Sequence, residues 1–170
     1  LIAHRFLTCL HSDGEMILDV NHNTVLPHTI AGESYWLHRK GATPATESLV
    51  VIPGSRGDLS YVIQPTNASV ESGYSLAHGA GRKWQRAAAK GRLATYKHET
   101  FYVTKLGSRV ICEDKQLLYE EAPQAYKNIE VVIQDLLDAG LINIVAVLRP
   151  LITYKTCLLY TSPSPRDKTV

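Results

Sequence analysis

The stretch Ala77-His78-Gly79-Ala80-Gly81-Arg82-Lys83-Trp84-Gln85-Arg86 is the one around which we expect the rest of the chain to fold. It places a histidine directly before a Gly-Ala-Gly turn, and a basic, helix-prone run follows from Arg82 to Lys90. Small residues let a ligand approach the backbone closely, and the free N–H groups at a helix start attract anions such as phosphate. The stretch therefore indicates a nucleotide-dependent enzyme in which His78 is a nucleophile that faces phosphorus.

Length and composition are those of one ordinary globular domain. The chain has 170 residues, of which 45% are hydrophobic and 20% are charged, so a wholly disordered chain is excluded. It contains no apolar run as long as a membrane span and no signal-peptide pattern, and its three cysteines lack metal or disulfide spacing. We therefore expect a cytoplasmic protein with no membrane partner.

Positive charge is concentrated in one part of the chain. The formal net charge is only +2, but lysines and arginines dominate between residues 82 and 105, where Glu99 is the only acidic residue. A basic face of this kind suits a phosphate backbone. A solvated helix face would have the same composition, so both interpretations stay open.

Helix and strand patterns follow one another without a regular βαβ alternation, so we predict an α+β fold. Apolar spacing predicts one helix that ends near His11 and another from about Tyr126 to Asp138, closed by Gly140. The residues from Pro27 to Glu33 are typical of a loop. Predicted strands lie at Met16–Val20, Ser34–Arg39, Ser48–Ile52 and Ser60–Gln64, and Leu141–Tyr154 is β-rich. A predicted hairpin joins Phe101–Thr104 to Arg109–Cys112.

Two short stretches place candidate ligands at predicted strand ends. His22-Asn23 follows the first predicted strand, where an imidazole can ligate a transition metal, although a lone histidine is more often structural. The stretch from His38 to Thr43 sets two cations, one of them Lys40, before a glycine. Such a pair can hold phosphates, and an exposed strand end explains it equally well.

The remaining candidates suit nucleotide chemistry. The loop from Pro53 to Ser60 contains glycines that permit tight turns and serines that can contact a base or phosphate, although a plain loop is the simpler interpretation. Arg82 and Arg86 are four residues apart and would share a helix face, from which they could offset charge on phosphate oxygens. Tyr126 and Lys155 could frame a purine base.

In order and in spacing, these stretches resemble the RtcB RNA ligases, a family that depends on GTP and Mn²⁺. The resemblance covers nearly all of residues 1–155, and the variants from Pro53 to Tyr61 and from Gly73 to Trp84 are most similar to a bacterial branch found beside a release-factor-like gene. It implies the C-terminal portion of the RtcB-like fold, with mixed sheets and flanking helices. The motifs that carry it are His22-Asn23, His38–Thr43, Pro53–Tyr61, His78–Arg82, Glu121–Ile129 and Leu148–Lys155.

The resemblance implies an activity as well. In this family a histidine, here matched by His78, forms a covalent bond to GMP, which then activates an RNA 3′-phosphate for attack by a 5′-hydroxyl in RNA splicing or repair. A 2′,3′-cyclic phosphate end is first opened by hydrolysis. The alternatives are a non-catalytic nucleotide- or RNA-binding module of the same fold, and a different phosphotransfer enzyme that uses a phosphohistidine. The RNA that is joined and any activator protein stay open.

The same resemblance assigns roles to individual residues. It makes His22 a manganese ligand, Tyr126 a ring that lies against the base, and Lys155 a residue that reads guanine. The residues it implies for nucleotide binding are His22, Asn23, Pro53, Gly54, Ser55, Arg56, Ser60, His78, Gly79, Ala80, Gly81, Tyr126 and Lys155. The residues it implies for RNA binding are Lys40, Arg82 and Arg86.

Both ends of the chain depart from the family's pattern. The family's metal centre also uses an aspartate, a cysteine and two histidines that would precede Leu1, and Thr156 stands in place of the family's terminal glycine. We therefore expect residues 1–155 to be the C-terminal part of a single catalytic domain, inactive without the missing N-terminal part. Residues 156–170 resemble a translated sequencing adapter, and we expect a non-native or disordered tail without function.

Overall fold

The computed structural model describes residues 2–155, apart from the side chains of residues 2, 3 and 98. The helices are α1 (Ile2–Cys9), α2 (Arg86–Arg92), α3 (Lys115–Glu120) and α4 (Ile129–Asp138), with 3₁₀ turns at His98–Phe101 and Pro123–Ala125. The strands are β1 (Asn23–Ile30), β2 (Glu33–Lys40), β3 (Ala42–Pro44), β4 (Val50–Ile52), β5 (Ser60–Pro65), β6 (Ser75–Ala77), β7 (Arg109–Cys112), β8 (Ile142–Leu148) and β9 (Ile152–Lys155). Helices and strands are mixed along the chain, so the α+β prediction is confirmed. The predicted tail, residues 156–170, lies outside the described residues.

The strands of residues 2–155 form four small sheets. β1 and β2 are an antiparallel hairpin, β4, β5 and β8 form a three-stranded antiparallel sheet, and β7 pairs with β9 in parallel. β3 pairs with β6 in a register that sets Ala42 opposite Ala77. This register brings the residues just before β3 beside the histidine that follows β6.

The main core lies between the three-stranded sheet and α4. Alternate residues of β4 and β5 are buried, and Val50, Ile52 and Ile63 have no exposed surface. Ile129 and Ile133, four residues apart on α4, are packed in the same cluster. Burying one aliphatic side chain of this size stabilises the folded chain by about 1.5–3 kcal/mol. The cluster therefore holds β4 and β5, and with them the loop that joins the two strands.

A second buried cluster joins α2, α3 and β7 around Leu93, Phe101, Val110 and Leu118. The carboxylate of Asp114 caps α3 by accepting hydrogen bonds from two backbone N–H groups of its first turn. Sequence reasoning missed α3, as well as the short strands β3 and β6. The second cluster supports the polypeptide segment between α3 and α4, which reaches the candidate site.

The basic run after the histidine turn is helical only in its second half, from Arg86 onward. Helix α2 begins at Arg86 rather than Arg82, because the residues in between pair with the segment before α4. Arg82 forms a β-bridge with Tyr126, and the Lys83 N–H group donates to the Ala125 carbonyl at 2.9 Å. The start of a helix therefore does not lie directly at the histidine turn.

In the N-terminal part, strands Ser34–Arg39, Ser48–Ile52 and Ser60–Gln64 are confirmed in outline by β2, β4 and β5. The predicted loop before β2 is wrong, because β1 pairs with β2 as far as Ile30 and Glu33 and the turn is confined to two residues with positive φ. The predicted strand at Met16–Val20 is also wrong, since those residues have no strand partner within residues 2–155.

In the C-terminal part, α4 begins at Ile129 rather than Tyr126, because the Asn128 side chain accepts from the Glu130 N–H group and caps the helix there. Gly140 closes α4 with a φ of 66°, as predicted. The hairpin predicted between Phe101–Thr104 and Arg109–Cys112 does not form. Only one β-bridge, between Val103 and Arg109, links the two segments, because β7 pairs with β9 instead. None of the helices within residues 2–155 has the length and apolar character that crossing a bilayer requires.

Candidate active site

A cleft of about 750 Å³ lies where the ends of several strands meet. Most of the predicted site residues line it, namely His22, Pro53, Gly54, Ser55, Arg56, Ser60, His78, Gly79, Ala80, Gly81, Arg86, Tyr126 and Lys155. Its lining also includes Gly41, Asp58, Glu121, Pro150 and Thr153, to which we had assigned no role. Asn23, Lys40 and Arg82 are not part of the lining.

His78 sits in this cleft directly after β6. Its imidazole stacks on that of His22, with ring centroids 3.8 Å apart and planes only 3° from parallel. Its Nδ1 atom is buried and has no hydrogen-bond partner among the described residues. Burial lowers the pKa of the His78 imidazole below its ordinary value, and the neighbouring His22 lowers it further. Both effects favour the neutral imidazole, which is the nucleophilic form.

The turn between β2 and β3 holds His78 from one side. The His78 N–H group donates to the Gly41 carbonyl at 3.3 Å, and the Gly41 N–H group donates to Asn23 Oδ1 at 3.0 Å. Gly41 has a φ of 68°, which favours glycine. Asn23 therefore supports the turn that holds His78. Asn23 and Lys40 line a neighbouring surface pocket beside β1 and β2.

The loop from Pro53 to Ser60 and the turn from His78 to Gly81 form one side of the cleft, which we call the backbone wall. A Cβ atom added at Gly79 would lie 2.9 Å from the Pro53 carbonyl oxygen, and the Ala80 N–H group donates to that oxygen at 3.3 Å. A Cβ atom at Gly54 would lie 2.2 Å from the Leu59 carbonyl oxygen. Gly79 therefore lets the two segments approach each other, and Gly54 lets the Pro53–Ser60 loop close on itself.

Side chains within the Pro53–Ser60 loop bond mainly to one another. The Ser55 hydroxyl donates to the Asp58 carboxylate, which also receives the Lys105 ammonium at 2.9 Å. The Ser60 hydroxyl accepts from the Gly54 N–H group at 3.3 Å. Arg56 is anchored by a 2.9 Å bond to the Leu118 carbonyl, and burial lowers the pKa of its guanidinium. The predicted base-contacting serines are thus held in a fixed loop.

Arg86, Glu121 and Tyr126 form another part of the cleft lining, and Arg82 contacts Glu121 and Tyr126 without itself lining the cleft; we call these four residues the charged wall. The Tyr126 hydroxyl donates to Glu121, and the Arg82 guanidinium carbon lies 5.0 Å from the centre of the tyrosine ring. Glu121 also pairs with Arg82 at 3.6 Å and with Arg86 at 3.5 Å. The two arginines that we assigned to RNA phosphates are therefore both in contact with a carboxylate.

A model of the tRNA-splicing ligase RtcB family matches residues 2–156 of the chain. The chain belongs to the RtcB family. The RNA-splicing ligase RtcB2 of Escherichia coli is 54% identical to it over 156 residues, which are 91% of this chain and 41% of the relative. The tRNA-splicing ligases RtcB of Archaeoglobus fulgidus and Methanopyrus kandleri are 36% and 35% identical over 81% of this chain, which corresponds to 32% and 16% of those relatives.

The chain thus spans less than half the length of these RtcB relatives. The family match confirms the resemblance that the ordered motifs had suggested. It does not address the predicted bacterial branch or the roles of single residues, which stay predictions.

A manganese ion was predicted from the RtcB resemblance, with His22 as a ligand. Within residues 2–155 no group of three or more His, Cys, Asp or Glu side chains could hold a metal ion. Near His22 the cleft offers one further imidazole, that of His78, which is stacked face to face with it. The described residues therefore do not complete a manganese site on their own.

Two acidic residues of the cleft had no role in our interpretation of the sequence. Asp58 and Glu121 both lie inside stretches that carry the RtcB resemblance, Pro53–Tyr61 and Glu121–Ile129. An acidic residue next to predicted anion-binding loops is a usable signal, because its charge must be compensated by a nearby cation. The structure supplies those cations as Lys105 and the two arginines of the charged wall.

Proposed function

We propose that this chain forms part of a GTP-dependent RNA ligase in which His78 is the catalytic nucleophile. The observation that carries the proposal is the position of His78. Its imidazole, whose pKa is lowered so that the neutral form is favoured, lies in a cleft large enough for a nucleotide, and most of the predicted nucleotide-binding residues line that cleft. Membership of the RtcB family supports it, since the relatives are named as RNA-splicing and tRNA-splicing ligases.

In the proposed reaction, a nitrogen of His78 attacks the α-phosphorus of GTP. A P–N bond forms, the P–O bond to the β-phosphate breaks, and pyrophosphate leaves. Because Nδ1 is buried, we assign the attack to Nε2. The low pKa of the ring leaves its electron pair free for this step.

Two transfers would complete the ligation. An oxygen of the RNA 3′-phosphate attacks the phosphorus of the bound GMP, and the P–N bond to His78 breaks. The 5′-hydroxyl of the second RNA end then attacks the activated 3′-phosphate, loses its proton, and displaces GMP as the new phosphodiester forms. A 2′,3′-cyclic phosphate would first be opened by water.

Side chains of the cleft would bind and orient these substrates. We infer that Ser55 and Ser60 contact the base and ribose, that Tyr126 lies against the base, and that Lys155, at the end of β9, reads guanine; support for this is that all four residues line the cleft. Arg86, whose side chain is 61% exposed, and the exposed Lys40 are placed at the surface, where RNA phosphates can reach them. Mn²⁺ would offset charge on phosphate oxygens, with His22 as one ligand.

Strands β8 and β9 both expose large apolar residues. Val145 and Val147 of β8 and Ile152 and Tyr154 of β9 are each more than half exposed. Exposed apolar surface of this kind often marks a contact with another protein segment. We propose that it contacts the remainder of a family-length polypeptide, since the chain spans 41% of its E. coli relative, and that the 170-residue chain alone does not ligate RNA.

The test uses a family-length polypeptide in which residues 2–155 replace the matching part of the E. coli relative. Incubation with Mn²⁺ and GTP labelled at the α-phosphate should label this polypeptide, and the labelled protein should join RNA ends. His78→Ala should abolish both the label and the ligation. As a matched control, His4→Ala changes an exposed histidine of α1 and should leave both unchanged.

Two other outcomes would contradict the proposal. Label that survives His78→Ala would remove the assigned nucleophile. GTP binding without any covalent label would favour the non-catalytic module, and label from the γ-phosphate alone would favour a phosphohistidine enzyme.

A further inference from the structure

Glu121 contacts the other three residues of the charged wall at once. Its Oε2 atom accepts a hydrogen bond from the Tyr126 hydroxyl, while its Oε1 atom lies 3.6 Å from Arg82 Nη1 and 3.5 Å from Arg86 Nη2. The Glu121 side chain is 15% exposed and lines the cleft. A single carboxylate therefore joins the ring assigned to the base with the two cations assigned to RNA.

We propose that Glu121 is a positioning residue with two separable effects: it orients Tyr126 for the guanine base, and it restrains Arg82 and Arg86 so that RNA binds less tightly. The inference rests on the proposed function, because it takes the base and the RNA phosphates as ligands of this cleft. It adds a role for an acidic side chain in a site whose ligands are anions.

The first effect follows from the hydrogen bonds of Tyr126. Arg82 Nη1 donates to the phenol oxygen at 3.2 Å, and the phenol proton is donated to Glu121. Burial raises the pKa of the Tyr126 hydroxyl, and the bond to Glu121 raises it further, so the hydroxyl remains a donor at neutral pH. The ring is thereby fixed before a ligand arrives, which lowers the entropy cost of stacking on a base.

The second effect follows from charge. Arg86 is 61% exposed and Arg82 22% exposed, and both lie within 4 Å of the Glu121 carboxylate; Arg86 also lies 4.0 Å from the Glu120 carboxylate. The carboxylate cancels part of their attraction for phosphate, because opposite charges at this distance interact strongly near a protein surface. Removing the negative charge should therefore strengthen RNA binding and steepen its dependence on salt.

The two effects have opposite signs, and this separates them from a merely structural role. Loss of packing at Glu121 would weaken the base and the RNA together. A positioning carboxylate that is neutralised or removed should weaken or preserve base binding while it strengthens RNA binding. Guanosine is the suitable probe for the base, since it has no phosphate that the freed arginines could attract.

The experiment measures guanosine binding by NMR titration, and the binding of a 3′-phosphorylated oligouridylate by fluorescence anisotropy at several salt concentrations. The protein is the family-length polypeptide described above. Glu121→Gln keeps an oxygen that can accept from Tyr126 but removes the charge. It should leave the guanosine Kd within about twofold and tighten RNA several-fold. The logarithmic salt slope should steepen by about 0.7 for each cation that is fully freed, and by less for Arg86, which keeps its pair with Glu120.

Two further variants separate the two effects. Glu121→Ala removes the acceptor as well, so it should weaken guanosine about tenfold and still tighten RNA. Tyr126→Phe removes only the hydroxyl, so it should weaken guanosine several-fold and leave the RNA salt slope unchanged. Glu113→Gln is the control, because it removes an exposed carboxylate outside the charged wall and should change neither measurement.

The inference is overturned if the Glu121 variants weaken guanosine and RNA in parallel, or if the RNA salt slope stays at the wild-type value. It is also overturned if the wild type binds GTP but Tyr126→Phe and Glu121→Ala bind guanosine as the wild type does. A wild type that binds neither GTP nor RNA contradicts the proposed function as well, which distinguishes the two failures.

Discussion

The two walls of the cleft are built by different means. In the backbone wall, the His78–Gly81 turn approaches the Pro53–Ser60 loop at Gly79, and the loop closes on itself at Gly54; at both glycines a Cβ atom would meet a carbonyl oxygen. In the charged wall, the contacts are ion pairs and hydrogen bonds between side chains, centred on Glu121. One wall depends on shape and the other on charge.

This difference determines how each wall responds to change. Steric conflict between backbone atoms is relieved only by moving the main chain, whereas a partly exposed ion pair can rearrange or exchange with water. We therefore expect substitutions in the backbone wall to cost the most stability. Substitutions in the charged wall should cost less and should depend on salt and pH.

The largest effect is expected for Gly54→Ala. The added Cβ atom would lie 2.2 Å from the Leu59 carbonyl oxygen and 2.9 Å from Asp58 Cβ, so the loop must shift as a whole. Overpacking of this kind costs about 3 kcal/mol. Urea denaturation of the chain should show this loss in the free energy of unfolding, together with a weaker affinity of the family-length polypeptide for GTP.

Gly91→Ala is the matched control for that substitution. Gly91 lies inside α2, and a Cβ atom added there meets nothing within 4 Å. Alanine in a helix interior is favoured over glycine by about 0.8–1 kcal/mol, so this variant should be more stable than the wild type. If both glycine variants changed stability by the same amount, the distinction between the two walls would be lost.

An intermediate effect is expected for Arg82→Met in the charged wall. Arg82 is 22% exposed, donates to the Tyr126 hydroxyl and to the Trp84 carbonyl, and pairs with Glu121. Removing hydrogen bonds from a charged donor should cost about 1.5–2 kcal/mol. Arg86→Met, at an arginine that is 61% exposed, should cost less than 1 kcal/mol, and equal losses in the two variants would contradict this ranking.

The backbone wall was more predictable from the sequence than the charged wall. Glycines next to a histidine and a serine loop indicate close main-chain approach, and the structure places those stretches around one cleft. The charged wall was assigned wrongly in part, because Arg82 was expected on a helix with Arg86. A β-bridge between Arg82 and Tyr126 prevents that helix, and such a long-range contact leaves no periodic pattern in the sequence.

The difference between local patterns and long-range contacts also explains which elements of the fold were predicted correctly from the sequence. β4, β5 and the C-terminal end of α4 have local signals, namely short runs of β-branched and aromatic residues and a glycine after the last helical turn. The parallel pairing of β7 with β9 depends on residues far apart in the chain, so local reasoning proposed a hairpin instead. α3 is only six residues long and was missed.

The smallest effect is expected at the edge of the backbone wall, where Lys105 pairs with Asp58. Bonding to Asp58 raises the pKa of the Lys105 ammonium above its ordinary value of 10.5, so the pair stabilises the folded chain below that pH. The contribution is lost as the pH rises through the raised pKa. Because Lys105 is 72% exposed, Lys105→Met should cost less than 1 kcal/mol at pH 8, and the cost should disappear at strongly alkaline pH. Lys97→Met is the control, because Lys97 has no ion pair among the described residues, and its cost should not depend on pH. If the stability cost of Lys105→Met persists or grows in alkali, packing rather than charge holds this loop.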